Sequence, residues 1–91
     1  MSTSIRHVRI HTTGDASVLR VERAELPPPG PGEVQIRQHA IGVNFVDIYH
    51  RTGAYALPAL PAVLGVEGAG IVERVGDGVQ DLAPGQRVAY A

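Results

Sequence analysis

The sequence predicts a small, mainly β domain carrying one short helix. Three observations support this. Eleven Gly and seven Pro divide the 91 residues into short segments, a spacing that suits strands and leaves no room for long helices. Val and Ile recur within those segments, and their branched side chains pack well on a pleated surface. Only the stretch after Asn44 places apolar residues at helical spacing, with Phe45, Ile48 and Tyr49 falling on one face.

Composition narrows the function classes. A chain of this length is one domain at most, and it buries only about 60% of the surface its unfolded form exposes, so marginal stability is expected. There are no cysteines, which excludes disulfides, thiolate nucleophiles and thiolate zinc sites. All eight basic residues are arginine, scattered from Arg6 to Arg87, against nine acids for a net charge of -1. That pattern offers no basic stripe to nucleic acid or anionic lipid. No apolar run reaches the roughly 20 residues of a membrane span, and the N-terminus lacks a signal-peptide pattern, so a cytoplasmic protein with no nucleic-acid or membrane partner is expected.

In chain order, residues 5–11 and 18–25 are strand segments joined across the turn-forming Thr13-Gly14-Asp15. The run from Pro27 to Gly32 supplies few ladder donors and is expected to be an exposed connection. Residues 33–41 alternate, with Val34, Ile36 and Ala40 on one parity and Glu33, Gln35, Arg37 and His39 on the other, as in a half-buried strand. Asn44 is placed to cap a helix over 45–51. Residues 52–61 form a proline-containing ordered loop. Strand character returns over 63–75, Gly76-Asp77-Gly78 and Pro84-Gly85 are turns, and Arg87 begins a last strand. That strand stops at Ala91 in an apolar pattern with no polar tail, which is the expectation for a fragment.

Several constellations bear on chemistry. Begun at Gly68 and Gly70, the dinucleotide fingerprint G-x-G-x-x-G meets Glu73; begun at Gly76 and Gly78, it meets Asp81. The segment that follows reads as strand, whereas the fingerprint must open a helix, so these glycines are expected to permit close approach inside a sheet. His7 and His11 would lie about 13 Å apart along a strand, too far to share an ion. Asp47 and His50 lack a third ligand nearby, so no metal site is expected. Asn44, Asp47 and Tyr49 converge at a strand-to-helix junction with Tyr55 on the adjoining loop, which makes this the best site in the chain. The residues alone also allow a local reading and favour it: Asn44 as a cap, Asp47 on the helix dipole and the tyrosines half-buried. Glu67, set between Val66 and Gly68-Ala69-Gly70, is expected to be buried and therefore paired or functional.

The stretches GVNFVDIYHRTGAY, LPAVLGVEGAGIVERVGDGV and PGQRVAYA resemble the N-terminal catalytic domain of the medium-chain dehydrogenase/reductase superfamily. Within it they are most similar to the zinc-independent NADPH:quinone oxidoreductases related to zeta-crystallin. The resemblance runs from Ile5 to Ala91. It implies a GroES-like, partly open β-barrel, truncated here so that residues 1–91 form part of a catalytic domain, with the Rossmann domain of the parent protein absent. Zinc-dependent alcohol dehydrogenases of the superfamily carry a cysteine where Asn44 stands and a histidine where Val66 stands, so the resemblance implies a metal-free reductase.

By the same resemblance Asn44, Asp47 and Tyr49 belong to the cofactor site, with Asn44 and Tyr49 facing the nicotinamide end of NADPH and Asp47 ordering the motif. NADPH itself would be held mainly by the domain this chain lacks. Tyr55 is implied as the catalytic residue beside the substrate, a quinone or related electrophilic carbonyl, in a homodimeric parent. Related metal-free enzymes reduce enoyl thioesters with a tyrosine near this loop, so Tyr55 suits either substrate class. A reading of a different kind is a self-standing GroES-like binding module without catalytic activity, whose mobile loop would be residues 52–61.

Overall fold

The computed structural model describes residues 2–91. Strands β1 (Thr3–Ile10) and β2 (Arg20–Leu26) pair antiparallel from Thr3 against Leu26 to Arg9 against Arg20. Between them the chain makes a single 3-10 turn over Ala16–Val18. Asp15 caps this turn by accepting the Ser17 N–H at 2.9 Å. The two segments expected to form a pair therefore do so, two residues offset from the sequence reading.

Strand β3 (Val34–Gly42) leads into helix α1 (Phe45–Thr52), followed by β4 (Ala62–Val63), β5 (Glu67–Val75) and β6 (Arg87–Tyr90). They complete two three-stranded antiparallel sheets, ordered β2-β1-β4 and β3-β5-β6. The mainly β, GroES-like and incompletely closed architecture agrees with expectation. The single strand expected over 63–75 does not form. Gly65 takes a φ of 109° between β4 and β5, a left-handed conformation that favours glycine, and there the chain leaves one sheet for the other.

Strand β3 departs from the alternation its sequence suggests. Gln35 is buried, while Ala40 and Ile41 are exposed. The ladder with β5 shifts register between Gln35 and Ile36 and again between Gln38 and Ala40, and each irregularity resets which parity faces inward. Burial of Gln35 is tolerated because its amide is satisfied. Its Nε2 donates to Glu73 Oε2 at 2.9 Å, and its Oε1 accepts from Arg74 at 2.7 Å. Arg74 also donates to Thr3 Oγ1 at 3.0 Å, so this network ties the first strand of one sheet to the second sheet.

The proline-rich connection is exposed at Pro27, Pro28, Pro31 and Gly32, as expected, and is anchored at its centre. Gly30 is half-buried, and Gly32 N–H donates to the Asp77 carbonyl at 2.9 Å, which pins the segment to the turn after β5. Among the described apolar side chains only Ile10 and Val72 are buried. The accessible surface is 6459 Å² for 9.6 kDa, whereas folded monomers of that mass expose about 5,100 Å². The radius of gyration, 14.5 Å, exceeds the roughly 12 Å of a compact chain this long. Much apolar surface is consequently uncovered. Among the described residues no helix is long and apolar enough to cross a membrane.

The network predicts an acid-sensitive element. Hydrogen bonding from Gln35 and then from Arg37 holds the Glu73 carboxyl below the usual glutamate range. A lowered folded pKa contributes stability above the unfolded value of about 4.3 and loses it as pH falls through the folded value. In a melting series from about pH 6 downward, Glu73→Gln is expected to be destabilising at the top of the range, and the gap to wild type should close as pH drops. A gap independent of pH would contradict this.

Candidate functional site

Strand β3 delivers Asn44 in an extended conformation to the start of α1. The Asn44 N–H donates to Asp47 Oδ2 at 2.9 Å, and the Asp47 N–H donates to the Asn44 carbonyl at 3.0 Å. These reciprocal bonds fix the junction, so Asp47 orders the motif through its carboxylate. They also explain why a charged residue is buried here, at 8% exposure, while the apolar Phe45 beside it is 77% exposed. The expected apolar helix face is thus correct in composition, but Phe45 lies open with Val43 next to it at 84%.

Two polar atoms at the junction are buried without a partner, Asn44 Nδ2 and Asp47 Oδ1. Each such group costs about 1 to 3 kcal/mol. Local capping accounts for the Asn44 backbone and for one Asp47 oxygen, and leaves the Asn44 amide nitrogen as a donor with nothing to donate to.

The tyrosines are brought together by the end of the helix. Gly53, with a φ of 91°, reverses the chain. The Tyr49 carbonyl then accepts the N–H groups of Gly53 and Tyr55, both at 3.1 Å. Tyr55 folds back so that its ring meets the Tyr49 ring edge-on, with centroids 5.0 Å apart, and the His50 ring lies 6.4 Å away. Tyr49 is 40% and Tyr55 56% exposed, and neither hydroxyl has a partner among the described residues. The far end of the helix is anchored by Arg51, whose Nε donates to the Gly14 carbonyl at 3.2 Å and whose own carbonyl accepts the Gly14 N–H at 2.9 Å.

Tyr49 and Tyr55 therefore form an exposed ring pair past the middle of α1, while Asn44 and Asp47 form a buried, hydrogen-bonded junction at its start. The nearest groove, about 330 Å³, runs along the ends of β3, β5 and β6 and is lined by Gly42, Glu67, Gly68 and Tyr90. Glu67 is half-buried, a correction to the burial expected for it. The glycines around it are explained by close approach. A Cβ on Gly42 would overlap the Glu67 carboxylate, and one on Gly68 would lie 2.7 Å from Gln38 Oε1 and 2.9 Å from the Tyr90 hydroxyl. Over Gly68, Gln38 Nε2 donates to the Tyr90 oxygen at 2.6 Å, a clasp across three strands. The sequence reading missed Gly42, Gln38 and Tyr90. The only available signal was the pairing of small residues on β5 with bulky polar ones on its neighbours.

Of the histidines, His11 is paired locally, while His7 Nε2 is buried without a partner among the described residues. His11 lies 2.8 Å from Glu22 Oε2, beside an Arg9–Glu22 ion pair at 2.6 Å. No cluster of three metal-ligating side chains occurs among the described residues.

Residues 30–91 match the alcohol dehydrogenase GroES-like domain, about two-thirds of the chain. The chain belongs to that family. Its relatives include a quinone oxidoreductase from Pseudomonas aeruginosa, 45% identical over 86 residues that cover 94% of this chain and 26% of that protein. The crystal structure of the Escherichia coli quinone oxidoreductase complexed with NADPH superposes with a TM-score of 0.94 at 41% identity, over 96% of this chain and 27% of that one. A cobalt- and zinc-bound thermostable alcohol dehydrogenase from Pyrobaculum aerophilum is similar at 38% identity and a TM-score of 0.88, over 96% and 26% of the two chains. This GroES-like chain thus spans about a quarter of the length of the proteins it resembles.

Proposed function

We propose that these 91 residues form one wall of the hydride-transfer cleft of an NADPH-dependent quinone reductase that works without zinc. The observation that carries the proposal is the junction of β3 and α1. A buried amide nitrogen without a partner among the described residues caps the start of α1, and two edge-packed, exposed tyrosines stand on the same helix and the turn that follows it, a support that hydrogen bonds hold at both ends. The nicotinamide ring system fits the exposed tyrosine edges and hydroxyls, which suit a planar group bearing an acceptor oxygen, and the enclosed Asn44 Nδ2 becomes a further donor once its cover is displaced.

When bound, the reduced nicotinamide supplies hydride. Asn44 orients it by donating from Nδ2, Tyr49 gives it an aromatic wall, and Asp47 holds Asn44 in place. Tyr55 offers its O–H to the carbonyl oxygen on which negative charge develops, a role that favours turnover because the donor is positioned beforehand. With no lysine and no complete glycine fingerprint, this wall does not grip the pyrophosphate. Zinc independence is supported by ligand chemistry, since Asn44 and Val66 are poor metal ligands and the chain has no cysteine.

The test is NADPH oxidation by the protein expressed from its complete reading frame, with a simple quinone and with an enoyl thioester as acceptors, in the presence and absence of a chelator. Quinone-dependent turnover that survives chelation is expected. Stoichiometric zinc lost together with activity, or turnover with the thioester alone, would overturn the reading. Asn44→Ala is expected to raise the KM for NADPH about 5- to 10-fold while turnover at saturation changes by less than about twofold, as for a contact made equally in ground and transition states. An equal loss in turnover would instead place Asn44 on the reacting atoms.

A further inference from the structure

The carboxylate of Glu67 stands at the same corner and is not used by the reading above. Gly42 ends β3, two residues before Asn44, and its register partner is Glu67 at the start of β5. The Glu67 side chain lies flat across that glycine: a Cβ there would overlap Oε1 and come within 2.6 Å of Cγ and Cδ. Glu67 is half-buried and has no hydrogen bond or ion pair among the described residues. It lines the groove of about 330 Å³, which no basic residue lines. Asp47, the other carboxylate of this corner, is buried and takes part in no ion pair, whereas the ion pairs among the described residues engage Glu22 and Glu73 elsewhere. The Glu67 carboxylate therefore acts on whatever occupies this groove, and partial burial lengthens its reach. Tyr90 adds a donor here, because its oxygen accepts from Gln38 and its own O–H hydrogen stays available.

We propose that Glu67 is a specificity determinant: seated on Gly42, its carboxylate makes the cleft take uncharged electron acceptors and reject anionic ones. This rests on the quinone-reductase reading. The groove then admits a neutral acceptor and repels a sulfonate or carboxylate through Glu67.

The test compares an uncharged naphthoquinone with its sulfonated counterpart, using the protein expressed from its complete reading frame. Wild type should prefer the uncharged acceptor in kcat/KM. Glu67→Gln keeps the side-chain shape and is expected to shrink that preference about tenfold, through the KM of the sulfonate. Gly42→Ala removes the seat rather than the charge and should shift the same ratio. Binding of the two compounds is measured calorimetrically without NADPH, and there Glu67→Gln should tighten the sulfonate about tenfold relative to the neutral compound. An unchanged ratio in both experiments, or equal losses for both acceptors, would overturn the proposal. Absence of all quinone turnover with a changed binding ratio would overturn the reductase reading and leave the charge selectivity standing.

Discussion

Tyr55→Phe is expected to lower quinone turnover by about 10- to 1000-fold, with the lower end favoured because a quinone product needs less help than an acyl intermediate. The substitution keeps the ring and hence the edge contact with Tyr49 at 5.0 Å. It also keeps the backbone bond from the Tyr55 N–H to the Tyr49 carbonyl. Only the O–H is removed, and that group has no partner within the described residues, so a stability change is not expected. Any loss in rate then reports the donor itself. Steady-state kinetics with NADPH and a simple quinone decide the matter. A change of less than about twofold in turnover, roughly 0.4 kcal/mol, would leave Tyr55 as a wall of the pocket.

A large effect on stability is expected at Gly70. A Cβ there would overlap the carbonyl oxygen of Arg37 and lie 2.9 Å from both the Arg37 carbonyl carbon and Ile36 Cγ2. The obstacle is backbone, held in the β3–β5 ladder between two register shifts, so it yields only if the sheet deforms. Gly70→Ala should cost about 3 kcal/mol or more, a large share of the 5 to 15 kcal/mol of an ordinary domain. Gly78→Ala is the control. Nothing lies within 4 Å of its Cβ, and its φ of 83° makes the expected cost only about 1 to 2 kcal/mol. Urea unfolding of the two variants beside wild type tests the contrast, and equal midpoints would contradict it.

The physical reason some features were legible in the sequence and others were not is visible in particular residues. The helix over 45–52 announced itself because its signals are local: an Asn cap, an acid in the first turn and Gly53 past the end. The turns at Gly78 and Gly85 were equally local. What the sequence hid was non-local. Gln35 reads as outward-facing until its partners Glu73 and Arg74, some 38 residues away, are in place. The break between β4 and β5 turns on one φ at Gly65 within a run that otherwise looks like continuous strand. The glycines of β5 looked like a broken nucleotide fingerprint, and the cross-strand geometry shows that they make room for the Gln38–Tyr90 clasp and the β3 backbone. At the proposed site, the motif named Asn44, Asp47, Tyr49 and Tyr55 as candidates. The seat of Glu67 on Gly42 required the register of two strands separated by 25 positions in sequence.

The proposed function depends most on Asn44 meeting the nicotinamide, and the side-chain amide of Asn44 offers a direct probe. In the protein expressed from its complete reading frame with asparagine labelled by nitrogen-15, the Asn44 side-chain NH2 resonances, assigned by their loss in Asn44→Ala, are followed as NADPH is added. The Nδ2 atom has no partner among the described residues, so formation of a new hydrogen bond should move both proton signals, and a nucleotide lacking the nicotinamide ring should leave them in place. Saturation with NADPH that leaves the Asn44 amide unmoved while other resonances shift would contradict the account.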